Sequence, residues 1–249
     1  MKYRIFKDAV IFKVSGRDAA RYINSRLTND LNLLQDNKGQ RSAALSPQGK
    51  VEGVFEIFKI NADEFLLVAD KGPADRLLDV FLRFKVADMV DVSDCSSDFV
   101  LVHICAETPQ LESFKSEFFY VPNRRLGAEG IDVVIPGSSY QDVLSLCCKY
   151  SAIELSEELF ESERIISGQP AFPIEINSDT LLAAIDTEEL VSNSKGCYVG
   201  QEVIEKLSAR GKAPYCIKRL LIEKKVSDIT GQKVLDHKGA QLGVILSSA

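Results

Sequence analysis

The 249-residue chain lacks most of the patterns that mark familiar catalytic and structural devices. It has only two histidines. His103 sits in the apolar run Phe99-Val100-Leu101-Val102-His103-Ile104 and reads as a strand residue without catalytic duty, while His237 reads as a solvated turn residue. A cysteine–histidine hydrolase needs an imidazole beside its thiol, so that class is disfavoured. The six cysteines, Cys95, Cys105, Cys147, Cys148, Cys197 and Cys216, form no C-x-x-C pair, which argues against a zinc ribbon or a thioredoxin-like redox motif. Cys147 and Cys148 share an apolar pattern with Val143, Leu144, Leu146 and Tyr150 and read as small core hydrophobes. There is no G-x-G-x-x-G after a strand, no P-loop, no H-E-x-x-H and no G-x-S-x-G. The usual nucleotide, zinc-peptidase and serine-hydrolase signatures are thus missing. No stretch approaches the roughly 20 apolar residues that cross a bilayer, so no membrane association is expected. The opening Met1-Lys2-Tyr3-Arg4-Ile5-Phe6 carries neither an apolar signal core nor an Arg/Ser-rich transit segment. A cytoplasmic, bacterial, monomeric protein with reduced thiols is expected. A net charge of -6 argues against general nucleic-acid binding through phosphate neutralisation.

What is present is an ordinary globular composition, 45% apolar and 27% charged, long enough for two or three compact units. Strands are predicted over Val10 to Ser15, Ser42 to Ser46, Val51 to Ile60, Phe65 to Ala69, Val90 to Val92, Phe99 to Ile104 and Ile131 to Ile135. One helix is predicted from about Asp18, with Ala19, Ile23, Leu27, Leu31 and Leu34 on one face. Others are expected after Pro73, over Tyr140 to Tyr150, and over Glu157 to Ser167 with Gly168 as a stop signal. Short strands at Lys218 to Glu223, Lys233 to Asp236 and Leu242 to Ser247 read as a small β unit. Clustered strands with interspersed helices imply α+β layers. The expected divisions are an N-terminal α+β region over 1–95, a second over 96–205, and a short C-terminal β region over 206–249.

Three polar clusters stand out from this pattern. The octapeptide Lys195-Gly196-Cys197-Tyr198-Val199-Gly200-Gln201-Glu202 shows neither a strand nor a helix period, and packs a thiol, an ammonium, a phenol, an amide and a carboxylate around two glycines. Lys195, two residues from Cys197, is placed to favour its thiolate, with Glu202 working against it. The second cluster is Arg26-Leu27-Thr28-Asn29-Asp30-Leu31, which by itself reads as a solvated helix end. The third, Pro47-Gln48-Gly49-Lys50, by itself reads as a plain turn.

Together and in this order, the clusters resemble the YgfZ-type folate-binding proteins. These are relatives of the glycine-cleavage T-protein (aminomethyltransferase) and include a mitochondrial iron–sulfur assembly factor. The match runs through Ser15-Gly16-Arg17-Asp18-Ala19, Leu27-Thr28-Asn29-Asp30, and Leu45-Ser46-Pro47-Gln48-Gly49-Lys50-Val51. It continues with Arg164, Gly168, Pro170, Phe172-Pro173-Ile174-Glu175, the whole octapeptide, and Arg210-Gly211. The resemblance implies a T-protein-like three-part fold around a central cavity, with a small C-terminal β-barrel-like domain that has few strands with which to close. It implies tetrahydrofolate, or a one-carbon derivative, as cofactor, and iron–sulfur enzymes or assembly proteins as clients. Cys197 matches the family's essential thiol and is the candidate catalytic residue. The candidate cofactor-binding residues are Asn29, Asp30, Gln48, Lys50, Arg164, Glu175, Lys195, Tyr198, Gln201, Glu202 and Arg210, with Lys50 or Arg210 at the exit of an anionic glutamate tail; no resident metal ligands are expected.

Two competing readings differ in chemistry. A true aminomethyltransferase places an acid shortly after the glycine corresponding to Gly49, where this chain has Val54. Glu52 and Glu56 lie two residues to either side, on the same strand face, but displaced at about 3.4 Å per residue. The other reading is a non-enzymatic folate-dependent scaffold or regulator. The chain also departs from the family in the interval from Glu175 to Lys195, with an insertion around Ser178 to Glu189 expected to reshape the cavity mouth. Lys206 replaces a commoner arginine and lacks its planar fork.

Overall fold

The computed structural model describes every residue except Asn37, Lys212 and 223–227, together with the side chain of Arg210. Along the chain lie β1 (Lys2–Phe6), β2 (Val10–Ser15), α1 (Ala19–Arg26), β3 (Gly39–Leu45), β4 (Val51–Asn61), β5 (Glu64–Ala69), α2 (Ala74–Leu82) and β6 (Asp91–Asp94). Then follow β7 (Phe99–Cys105), α3 (Thr108–Glu117), β8 (Tyr120–Pro122), β9 (Gly130–Pro136), α4 (Tyr140–Lys149), β10 (Ile153–Glu154), α5 (Glu157–Ser167), α6 (Gln201–Arg210), β11 (Lys233–Leu235) and β12 (Gln241–Val244). The first sheet has the order β3-β4-β5-β2-β6 and is antiparallel throughout. The second has the order β10-β1-β7-β9-β8, so the chain's first strand joins the sheet that its later half completes.

The two sheets stack, and each carries helices on its outer face. On one face of the first sheet, Phe12, Val14, Phe55, Ile57 and Leu67 meet Tyr22 and Ile23 of α1 and Leu77 and Phe81 of α2. The opposite face sends Ile11, Phe58, Leu66 and Val68 against Leu101, Val121 and Val134 of the second sheet. Beyond that sheet, Val102, Ile104 and Val133 pack on α3 and α4 through Phe114, Val143 and Cys147. This explains why β2 and β5 read as nearly continuous apolar runs: both their faces are covered. The α+β expectation and the individual strands and helices agree with this architecture, and α5 ends at Gly168 in the left-handed conformation (φ 76°).

Two elements differ from the sequence reading. The helix expected from Asp18 to Leu34 stops at Arg26; Leu27 turns extended, its neighbour Thr28 donates its N–H to Ala43 O, and a short 3-10 turn follows at Leu31–Leu33. The expected apolar face exists, since Ala19, Ile23, Leu27, Leu31 and Leu34 all enter one core cluster, but a bent chain presents them. At the C-terminal end, Lys218 to Ile222 form no strand, Glu223 lies outside the described residues, and β11 and β12 make an open two-stranded hairpin and not a barrel. No helix among the described residues is long and apolar enough to cross a membrane.

Between the sheets lies an ionic cluster with no sequence motif. Arg125 is buried and donates through Nε to both oxygens of Asp132 (2.9 and 3.0 Å), through Nη2 to Asp70 Oδ1 (2.7 Å) and to Glu56 Oε1 (3.1 Å). Asn123 Nδ2 reaches Asp132 (2.5 Å) and Glu56 (3.2 Å), and His103 Nδ1 shares a hydrogen bond with Asp132 (2.9 Å). Burial works against the Asp132 carboxylate, yet Arg125 and His103 hold it well below the ordinary range. Glu56 goes the other way: burial, opposed by Arg125 and reinforced by Asp70 and Asp132, pushes it up to about 8.

A carboxyl whose folded-state pKa is raised favours the fold while it keeps its proton. Its stabilising effect is complete below the unfolded value and is lost as pH rises through about 8. Glu56→Gln stays neutral and escapes that loss. Urea unfolding at pH 6 and pH 9 is therefore expected to show wild type losing stability relative to Glu56→Gln, by an amount on the order of a few kcal/mol. Equal pH dependence in the two proteins would refute the assignment.

Candidate functional site

The early end of α1 creates a set of unpaired carbonyls, and Lys195 fills it. Its ammonium donates to Asn24 O (2.7 Å), Leu27 O (2.5 Å) and Asn29 O (2.8 Å). An ammonium has three hydrogens, and all three are taken. The negative end of the α1 dipole adds to this attraction. Burial pushes Lys195 down to about 8 while Asp30 opposes, and the carbonyl oxygens favour the charged form. The Tyr198 ring lies 5.3 Å from the same nitrogen.

The neighbouring chain is tied to the same segment. Ser192 N donates to Thr28 O (3.1 Å) and Val199 N to Ser25 O (3.3 Å), while Thr28 Oγ1 donates to Leu190 O (2.6 Å). Asn29 Nδ2 bridges Arg41 O (2.9 Å) and Glu189 O (3.2 Å), and Asp30 caps the 3-10 turn by accepting from Asn32 N. The third cluster closes on the second half of the octapeptide. Gly200 has φ 84° at the start of α6, and a Cβ there would stand 2.7 Å from Ser46 O. Gly49 has φ 76°, and a Cβ there would lie 2.9 Å from Val203 Cγ1 of α6. Both glycines are required by left-handed backbone and by close approach. The octapeptide, Leu27-Thr28-Asn29-Asp30 and the Ser46–Lys50 turn thus meet in space.

Cys197 is exposed and forms no disulfide. Next to it in sequence, Tyr198 packs, partly buried, on a core of Ala43, Leu45, Val51, Ile176, Leu182, Leu190 and Ile204, and Val54, Phe172, Ile185, Val191 and Ile217 each pack on that same core. Burial pushes the Tyr198 phenol up. Gln201 accepts from Tyr198 N (3.2 Å) and donates to Glu205 (2.7 Å), and Glu202 is exposed and paired with Lys206 (2.6 Å). Gln48 is exposed at the turn, and Lys50 pairs with Asp179 (3.0 Å). The segment from Ser178 to Glu189 does not hang free: Val51 N donates to Thr180 O and Leu182 N to Gly49 O, with Leu182 and Ala184 buried. The side chain of Arg210 lies outside the described residues.

Arg164 and Glu175 form a separate buried pair. Arg164 donates to both Glu175 oxygens (2.9 and 3.0 Å), to Glu161 (2.7 Å) and to Gln169 O (2.6 Å). Burial opposes the Glu175 carboxylate, but Arg164 and Ala171 N hold it below its ordinary range. The pair borders a groove of about 900 Å³ lined largely by apolar residues of 216–222 and 242–249. The sequence reading named Phe172 only within the family match and did not single out Ile185 or Ile217 on the same core as Tyr198, nor Arg41 and Ser42, which hold Asn29; spacing alone carries no signal for them.

This layered fold is that of the T-protein-like proteins. The crystal structure of glycine cleavage system aminomethyltransferase T from Bartonella henselae matches 100% of this chain and 74% of its own, with a TM-score of 0.77 at 16% identity. In sequence the chain is similar to YgfZ-type proteins. It is 24% identical over 225 residues to tRNA-modifying protein YgfZ of Buchnera aphidicola, covering 83% of this chain and 69% of that protein. It is 22% identical over 276 residues to the mitochondrial iron–sulfur cluster assembly factor IBA57 homolog of Dictyostelium discoideum, covering 93% and 64%. No protein-family model matches the chain. It spans between 62% and 69% of the length of the first curated relatives it matches.

Lys195→Met keeps the apolar stem but leaves three carbonyls, one buried and two partly buried, without their ammonium donor. The variant is expected to lose on the order of 2–3 kcal/mol of unfolding free energy. It should also open the 195–200 loop to proteolysis. A melting curve and cleavage pattern matching wild type would show that the clamp contributes nothing.

Proposed function

We propose that the protein binds tetrahydrofolate, or a one-carbon derivative, and supports iron–sulfur cluster assembly or repair in the cytosol, with Cys197 as the working thiol. The observation that carries the reading is the convergence of three sequence-distant clusters on one loop, which leaves Cys197 exposed next to the partly buried Tyr198. Tyr198, Phe172, Val54, Ile185 and Ile217 offer the apolar, partly aromatic ground that a flat heterocycle needs. Asn29, Gln201, Lys50 and Arg210 are the polar candidates around it. Bound folate would supply a carrier for a one-carbon unit. Arg164 and Glu175 serve as the rigid wall behind Ala171 and Phe172, since their charges already satisfy each other. An exposed thiol is a soft ligand suited to iron in transit, and a relative named for iron–sulfur cluster assembly favours that cargo.

The transferase alternative is weakened by two contacts. Glu52 and Glu56 are the carboxyls nearest the missing acid, and each is engaged elsewhere. Glu52 pairs with Arg83, and Glu56 is buried against Arg125. Neither is free to serve folate chemistry at Val54.

Titration calorimetry with reduced tetrahydrofolate is expected to give saturable heat; its absence under reducing conditions counts against cofactor binding. Cys197→Ala is expected to unfold like wild type, because the side chain is exposed, yet to leave a cluster-dependent enzyme inactive in a deletion strain. Full restoration by that variant would remove the thiol from the mechanism.

A further inference from the structure

The ionic cluster between the sheets has an unfinished edge. Glu56 and Arg41 are directly opposed across β4 and β3. Glu56 Oε2 and Arg41 Nε are both buried without a hydrogen-bond partner. Arg41 Nε stands 3.6 Å from Glu56 Oε1, beyond normal hydrogen-bond reach. The far side of the same guanidinium holds Glu189, with Nη1 donating to Oε2 at 3.2 Å. From there the contacts lead to the candidate site. The Glu189 and Arg41 carbonyls share the Asn29 amide, and Asn29 O accepts from Lys195, two residues before Cys197.

We propose that Arg41 is a two-position relay: it holds Glu189 while Glu56 carries a proton, and swings onto Glu56 when that carboxyl ionises, loosening Asn29 and the Cys197 loop. Every group facing Glu56 bears on the argument. Arg41 comes from β3, Asp70 follows β5, Asn123 and Arg125 follow β8, and Asp132 lies on β9 with His103 of β7 behind it. Arg125 is already divided between Asp132 and Asp70, so a new negative charge on Glu56 finds its unsatisfied donor in Arg41 Nε. Burial keeps the proton on Glu56 up to about 8, so the relay turns in the mildly alkaline range. Discrete repositioning of one guanidinium is the two-state element that coupling requires. The relay makes Arg41 a positioning residue for the loop. It rests on the reading of that loop as the working site but not on folate binding, so a failed calorimetric titration would leave it standing.

The test is the ratio of iodoacetamide labelling at Cys197 to that at Cys148, read by mass spectrometry from pH 6.5 to 9.5; Cys148 serves as the reference thiol because, unlike its buried neighbour Cys147 and contrary to the sequence expectation, it lies on the exposed side of α4. In wild type the ratio is expected to rise about fivefold, at the low end of common coupling strengths. Glu56→Gln, isosteric with the protonated acid, should abolish most of that rise, and Glu189→Gln should give a high ratio already at pH 6.5. Arg41→Lys keeps the charge but lacks the Nε–H and the planar fork that would reach Glu56 and Glu189 in turn, and should also flatten the profile. A flat wild-type profile overturns the proposal. So does an unchanged rise in Glu56→Gln, which would assign the effect to the Lys195 ammonium instead. Should Glu56→Gln fail to fold, a wild-type rise retained in Arg41→Lys overturns it equally.

Discussion

The stacking of the two sheets turns on one guanidinium. Arg125 sits in the apolar layer between them, where an unpaired charge would be severely destabilising, and Asp132, Asp70 and Glu56 together satisfy it. Two of those acids belong to the first sheet's strands or their ends, and one to the second sheet. Removing one partner from such a buried group typically costs about 3–5 kcal/mol. The arrangement therefore fixes the sheets in position far more specifically than the surrounding Phe, Leu and Val side chains, which tolerate sliding. Its directional bonds also fix β4, and β4 begins at the Gly49–Lys50 turn on which α6 rests.

The candidate site follows from a helix that ends early. In a helix running on to Leu34, the carbonyl of Asn24 would accept from Thr28 N, and that of Leu27 from Leu31 N. Instead Thr28 N pairs with Ala43 O across to β3, and Leu31 N is taken by the Asn24 side chain. The carbonyls so released are those that Lys195 holds. Sheet pairing thus competes with helical hydrogen bonding over a few residues, and the octapeptide gains its anchorage from the outcome. The sheet side wins because Leu27, Leu31 and Leu34 still reach the same core by the bent route.

This locates what the sequence could and could not reveal. Apolar periodicity found β2, β4, β5, β7, β9 and α5 because each buries a regular face. It overran α1, since a bent chain can satisfy a helical pattern without being a helix. It did not single out α3, where Leu111 and Phe114 are the buried residues, or the short edge strands β8 and β10. The three polar clusters were legible as breaks in periodicity, and their meeting is the main site feature anticipated. The Arg125 cluster was not legible: Glu56, Asp70, Asn123, Arg125 and Asp132 come from four separate segments, and no local spacing marks charges that meet only after folding.

The distribution of charge then narrows the chemistry left to the site. Glu175 is held by Arg164, Glu56 by Arg125, Glu52 by Arg83, and the Lys195 ammonium by backbone carbonyls. Arg164 holds Glu175 below its ordinary range, which makes it a poor proton acceptor, while Glu56, though it keeps a proton far more readily, is confined between the sheets against Arg125 and Asn123. Base catalysis at a folate nitrogen needs a carboxylate that is near, unpaired and able to gain a proton, and on the family resemblance the corresponding position here is Val54. Cys197 is under the opposite constraint. Its loop is anchored at Lys195 and Gly200, while the residue itself projects to the surface. Rigid flanks around an exposed soft donor suit capture and release of a partner's metal or group more than proton transfer.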